Sequence, residues 1–526
     1  MFKYLKNDIP SSLVVFFVAL PLCLGIALAS GAPLFAGIIA GIVGGIVVGA
    51  LSGSSLGVSG PAAGLAVIVF NAINDLGSYE TFLLAVVLAG IFQVVLGILK
   101  AGVIGYYFPT SVIKGMLAAI GIMIFIQQIP HAFGYDLAYA GDTRFFRSEQ
   151  ESTLSILRNM LNAISLGAVI VTAVSLFIML LWEKVLTKKH QFFKVVPGPL
   201  VAVVFGVLYQ VFVGNTGSEL AIDAKKLVSV PIPESFDSFI GQFTLPNFAE
   251  IANPEIYIVA ITIAIVASLE TLLCVEATDK LDPKKRTTPT NRELVAQGVG
   301  NSLSGLIGGL PITQVIVRSS ANIQSGGQTK MSAILHGFLL ISTIILIPHL
   351  LNLIPLAVLA AVLLIVGYKL ANPKQFVQLF KLGKAQFVPF ITTVVAIVAT
   401  DLLIGILLGL AVGIITVLIN SYKNSHFLHI EDKSNGMNKI KMTLAEEVTF
   451  LNKGAILREL NELSNDTFLE IDVRKTKVLD YDVLEILDEF AIKAKDRNIS
   501  IKIISDRGIA ENPESYREFF GKKVSA

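Results

Sequence analysis

Two short polar stretches, both rich in glycine, interrupt the long apolar runs of this chain. The first is Leu56-Gly57-Val58-Ser59-Gly60-Pro61-Ala62-Ala63-Gly64; the second runs from Gly308-Gly309-Leu310-Pro311-Ile312-Thr313 through Arg318-Ser319-Ser320-Ala321-Asn322. The runs around them, such as 34–51, are long enough to cross the hydrocarbon core of a bilayer. Irregular backbone at that depth persists only where protein buries it or where it lines a wet cavity, because lipid offers no hydrogen-bonding partner. One such break in each half of an apolar chain points to a binding site at mid-membrane.

Charged residues are 15% of the 526, against roughly 25% in soluble proteins. About 35 of the 80 fall after His429. A membrane domain, 1–424, is therefore expected ahead of a soluble domain, 430–526, of about 100 residues. A net charge of +2 without a basic block gives no argument for nucleic acid. Cys23 and Cys274 lie in separate apolar runs and suggest neither a disulfide nor a metal framework, and no cofactor is expected beyond a coupling ion. Residues 1–30 have the outline of a signal peptide, but the run from Leu34 is equally apolar, so they read as a first span.

Segments of crossing or half-crossing length cover 13–30, 34–51, 61–73, 82–99, 109–129, 163–181, 199–213, 257–275, 294–307, 319–327, 332–350, 356–370, 387–400 and 402–419, about fourteen in all. With that number of crossings Lys3, Lys6, Lys100, Lys184, Lys188, Lys189, Lys194, Lys280, Lys284, Lys285, Arg286, Lys330, Lys369, Lys374, Lys381, Lys384 and Lys423 share one side. That places both termini in the cytoplasm, in a cell inner or plasma membrane, and loops 130–162 (with Asp136, Asp142, Glu149 and Glu151) and 214–254 outside. About fourteen elements with a short third and tenth divide into two inverted sets of about seven. After Ile430 the pattern changes: extended runs at 439–450, 468–473 and 499–504 alternate with helical ones at 453–463 and 482–495, a small α/β domain.

Four motifs in this order resemble the SulP family of anion transporters, which carry a carboxyl-terminal STAS domain. They are Ala19-Leu20-Pro21-Leu22, Val58-Ser59-Gly60-Pro61, Asn291-Arg292-Glu293-Leu294-Val295-Ala296-Gln297-Gly298, and Gly308-Gly309-Leu310-Pro311-Ile312-Thr313 leading to Arg318. The resemblance implies a core of spans 1–4 and 8–11 and a gate of spans 5–7 and 12–14. It implies that spans 3 and 10 each begin as a strand and continue as a half helix, and that the protein is a homodimer. Its substrates would be small inorganic anions, sulfate or bicarbonate foremost, moved by alternating access. A sodium-coupled bicarbonate symporter, an exchanger, or a sensor reporting through the STAS domain remain alternatives.

Ser59 reads as an N-cap with Pro61 beside the first helical position, and Ser319 or Ser320 as the cap of the tenth span. Two half helices meeting N-terminus to N-terminus offer free N–H groups and positive dipole ends, so an anion is the natural occupant. Ser59, Gly60, Pro61, Ala62, Arg318 and Ser319 are the expected binding residues, with Gly57 and Ala63 letting backbone come close. Arg318 would add positive potential, or else sit in an internal ion pair. Glu270, with Thr271 beside it, is the deepest acid and the expected coupling residue, able to take a proton or help hold sodium while Arg318 acts on it. Sodium needs hard oxygen ligands, whereas Cys274 follows one turn on and Ile316 and Val317 precede the arginine; that favours proton coupling. Thr313 is a further candidate ligand. Glu276 and Asp279 read as solvated; Leu20, Leu22 and Phe70 as core or lining; Pro21 as a kink; His336 as a titrating group or a satisfied hydrogen bond. In the tail, Tyr481 stands where STAS relatives in signalling carry a phosphorylated serine, which excludes that modification there.

Overall fold

The computed structural model describes residues 4–106, 108–135, 164–189, 193, 196–214, 216, 218–232, 241–400, 402–434, 437–506, 508–513 and 515–521. Lys194 and the acidic loop holding Asp136, Asp142, Glu149 and Glu151 lie outside them. The chain divides into two compact units, 1–381 with 390–407, and 382–389 with 408–526.

The first unit is helical. Its elements are α1 (Leu5–Ala29), α2 (Leu34–Leu51), the strand β1 (Ser59–Pro61), α3 (Ala66–Leu76) and α4 (Tyr79–Ile98). There follow α5 (Thr110–Ala132), α6 (Leu166–Leu181), α7 (Gly198–Val213), α8 (Pro254–Leu281) and α9 (Thr290–Leu306). A second strand, β2 (Ile312–Gln314), precedes α10 (Ile316–Gln324), α11 (Met331–Leu346) and α12 (Leu356–Leu370). Local chemistry marks the ends. Gly77 takes the left-handed conformation that closes α3, and the Ser78 hydroxyl caps α4 by accepting from the Thr81 N–H. Pro21 lies inside α1 without ending it.

Eight helices among the described residues are long and apolar enough to cross a membrane, and four shorter apolar ones accompany them. The shorter set includes Ala63–Leu76 and Lys384–Ala399, the latter here α13. This is a multi-span membrane protein. Neither α9 nor α10 meets that apolar standard, and the reason lies in the site below.

The helix α14 (Leu402–Lys423) begins in the first unit and continues from Leu408 in the second, where the chain goes on to β3 (His426–Ser434) and β4 (Met437–Leu444). Then come α15 (Lys453–Glu462), β5 (Thr467–Asp472), α16 (Tyr481–Asp496), β6 (Ser500–Ser505), β7 (Gly508–Glu511) and α17 (Tyr516–Gly521). The five strands order as β3-β4-β5-β6-β7, with β4, β5 and β6 parallel and both edges antiparallel. Period-two alternation puts Leu469 and Ile471 of β5 and Ile501 and Ile503 of β6 into one core with Ile456, Leu460, Leu487 and Phe490. Asp472, at the end of β5, is held below the usual carboxylate range by the Arg474 guanidinium and, less strongly, by Lys441. The strand expected over 439–450 stops at Leu444; β3, β7 and α17 had no clear periodicity. Tyr481 opens α16 behind Asp480, whose carboxylate accepts from the Asp482 N–H.

Candidate functional site

The two polar breaks meet. β1 and β2 pair antiparallel, Ser59 opposite Gln314, Gly60 opposite Thr313 and Pro61 opposite Ile312. Each strand runs within a few residues into a helix: a 3-10 turn over Ala63–Leu65 and then α3 on one side, α10 from Ile316 on the other. A two-stranded ribbon therefore stands between two helix starts, both of which carry partial positive charge.

That geometry corrects the expected caps. Ser59 and Pro61 lie in β1, not at a helix start, and Ala62 is still extended. Ser319 and Ser320 lie inside α10, whose N-cap position is Val315. Serine caps are not needed because α8 supplies acceptors from outside. Glu270 packs its carboxylate on Gly64 at one helix start, and Cys274 stands beside Ile316 at the other. Thr271 Oγ1 accepts from the Gln314 N–H at 3.3 Å and Thr278 Oγ1 from Gln314 Nε2 at 3.1 Å. These four lie on one side of α8, at i, i+1, i+4 and i+8.

α9 braces the ribbon from another side. Glu293, Gln297, Asn301 and Ser304 form one stripe and are fully buried. The Glu293 carboxylate accepts from Ser52 Oγ at 2.5 Å, from Gln297 Nε2 at 3.0 Å and from the N–H groups of Gly53 and Ser54. Gln297 Nε2 also donates to Ser59 Oγ at 2.8 Å, and Ser304 Oγ to the Leu310 carbonyl at 2.7 Å. The polarity that disqualifies α9 as an ordinary apolar span is used on β1, β2 and their approaches.

Arg318, third residue of α10, is 0% exposed. Its Nη2 donates to Cys23 Sγ at 3.4 Å, while Nε and Nη1 have no partner among the described residues. The guanidinium lies against Gly60, where an added Cβ would fall 2.0 Å from Nη1. Neighbouring strand residues face opposite ways, so Arg318 and the Ser59 hydroxyl lie on opposite faces of the ribbon. Arg318 is in no ion pair among the described residues, so the alternative of an internal ion pair is not what the structure shows; the Glu270 carboxylate packs on Gly64. A buried guanidinium without a counter-ion beside two helix starts makes a strongly electropositive locus.

The remaining expected residues divide. Ser319 Oγ accepts from the Val58 N–H at 3.0 Å and donates to the Val315 carbonyl at 2.8 Å, tying β1 to α10. Thr313 is fully buried with Oγ1 unpartnered. His336 Nδ1 lies 3.0 Å from the Ala333 carbonyl. Asp279 is half-buried and accepts from both the N–H and the hydroxyl of Thr288. Ala63, Val315 and Ile316 are half-buried and Val317 is exposed, so the helix starts reach the surface there. Among the described residues no cluster of His, Cys, Asp and Glu is set to hold a metal ion. Sequence reasoning missed Gln93, Gln297, Asn301 and Gln314; the signal was the spacing of Glu293, Gln297 and Asn301 on one helical stripe.

A model of the sulfate permease family matches residues 5–393. A putative sulfate transporter YvdB of Bacillus subtilis is 26% identical over 78% of this chain and 73% of its own length. Bicarbonate transporter BicA of Picosynechococcus is 26% identical over 85% of this chain and 76% of its own. Among solved structures, the murine Solute Carrier 26 family member A9 anion transporter in the inward-facing state superposes with a TM-score of 0.74. It does so at 15% identity over 100% of this chain and 88% of that one, a likeness of fold.

Proposed function

Since the chain belongs to the sulfate permease family, we propose that it is a secondary active transporter that carries a small inorganic anion, sulfate or bicarbonate, by alternating access. The observation that carries this is the ribbon of β1 and β2 between two helix starts, with Arg318 buried and unpaired beside it. The anion is held between the starts of α3 and α10, with Ser59, Gly60, Pro61, Ala62, Arg318 and Ser319 forming and supporting its pocket. In this reading about fourteen segments form two inverted repeats, both termini are cytoplasmic, the five-stranded tail is a STAS domain, and the protein works as a homodimer. Proteoliposomes holding the full chain should accumulate labelled sulfate or bicarbonate along an imposed gradient. Binding without flux would favour a sensor instead.

Coupling runs through Glu270, to protons in preference to sodium. Support comes from Cys274, whose soft sulfur stands one turn on from Glu270 where a sodium site would want a hard oxygen. Uptake should therefore depend on external pH and be indifferent to sodium. Glu270→Gln should abolish the pH dependence, with flux at the optimum falling about ten-fold or more. Intact pH dependence in that variant would end the assignment.

A further inference from the structure

We propose that Asn301 is a positioning residue for the anion site, standing in for a third strand beside β2. The ribbon has two strands, and Ile312 stands in a non-hydrogen-bonded pair with Pro61, so its N–H and carbonyl point away from β1 to the open side of β2. Asn301 supplies what the ladder lacks. Its Oδ1 accepts from the Ile312 N–H at 2.5 Å and its Nδ2 donates to the Ile312 carbonyl at 3.0 Å. One side-chain amide thus satisfies both backbone groups of one strand residue, as a neighbouring strand would.

The amide is itself oriented. Asn301 Nδ2 donates to Gln93 Oε1 at 2.6 Å, and Gln93 Nε2 donates to Ser268 Oγ at 3.2 Å. Asn301 and Gln93 are fully buried, so neither can exchange these partners for water. The relay runs from α8 through α4 and α9 to β2. Its direction is set from the β2 end: the Ile312 N–H requires Asn301 Oδ1 as acceptor, so Nδ2 is turned to the Ile312 carbonyl and to Gln93, which presents its Oε1 in answer. Ile312 lies four residues ahead of Ile316, where α10 begins, so a shift of β2 moves that helix start and Arg318 with it. Groups that touch a ligand keep their geometry only while such a supporting layer is intact.

The inference rests on the anion-transport reading, and binding and flux test the two separately. Full chain in detergent is titrated with sulfate and with bicarbonate, reading the rise in melting temperature, and uptake is measured in proteoliposomes. Asn301→Leu should raise the half-saturating anion concentration about ten-fold in both assays while Vmax changes less than about two-fold. Gln93→Leu should raise it about three-fold, and the double variant should be no worse than Asn301→Leu alone, since Gln93 acts only through Asn301. Should Asn301→Leu fail to fold, Gln93→Leu carries the test from one residue further back. Unchanged half-saturation with only Vmax or melting temperature reduced, or additive effects in the double variant, would overturn the proposal. Wild-type binding without flux would instead sink the transport reading and leave this one standing.

Discussion

Arg318→Met raises the half-saturating concentration of the transported anion about fifteen-fold, without lowering the melting temperature of the full chain. The guanidinium rests against Gly60, and the half-buried start of α3 at Ala63 is about three strand residues further on. It need not touch the anion. At an effective dielectric near 20, unit charges about 10 Å apart, the span of three strand residues, interact by roughly 1.7 kcal/mol, which is about fifteen-fold in affinity. Stability goes the other way. A fully buried charge with no carboxylate beside it is a cost to the fold, and methionine keeps most of the stem volume while removing that cost. A structural arginine would give the reverse pattern, a lower melting temperature at unchanged affinity. Measuring both quantities on the same preparation decides between them, and Arg318→Ala, which adds a cavity, should match the methionine variant in affinity but be less stable.

The placement of the two breaks was legible because glycine, proline and hydroxyl residues in a run otherwise fit for lipid have few physical explanations. The pairing of Ser59 with Gln314 was not, since strand register depends on which residues meet across some 250 positions of chain, and nothing local records it. The capping error has a specific origin. Ser59 followed by Pro61 fits a helix start by local propensity, but a serine cap serves when no other acceptor is at hand, and Glu270 and Cys274 on α8 are at hand. Long-range acceptors overrode a short-range preference. Glu270 and Arg318 carry opposite charges at similar depth but form no ion pair, since Gly64 leaves room for the carboxylate at one helix start and Gly60 for the guanidinium on the ribbon. In the tail, β4, β5 and β6 were readable from period-two alternation around one core, whereas β3 and β7, exposed at the edges, carry little pattern.

Gly60→Ala is expected to abolish saturable transport, and the cause is a single atom. The new Cβ would sit 2.0 Å from Arg318 Nη1, far inside contact distance, and Arg318 is enclosed on all sides. Either the guanidinium leaves its position or β1 is displaced from β2, and both move the charge away from the helix starts. Overpacking of this kind typically costs about 1–3 kcal/mol, so the variant should also melt earlier. Gly49→Ala is the natural control. It lies in the same helical hairpin approach, its added Cβ meets only ordinary contacts from 3.4 Å outward, and it should be neutral. The decisive measurement is the pair Gly60→Ala with Arg318→Ala. Removing the guanidinium removes the clash, so the double variant should regain the melting temperature of Arg318→Ala alone and share its weakened but saturable transport. If Gly60→Ala were as damaging to stability with the arginine gone as with it present, the glycine would be needed for backbone conformation in β1. The close approach of charge to strand would then not be what that position protects.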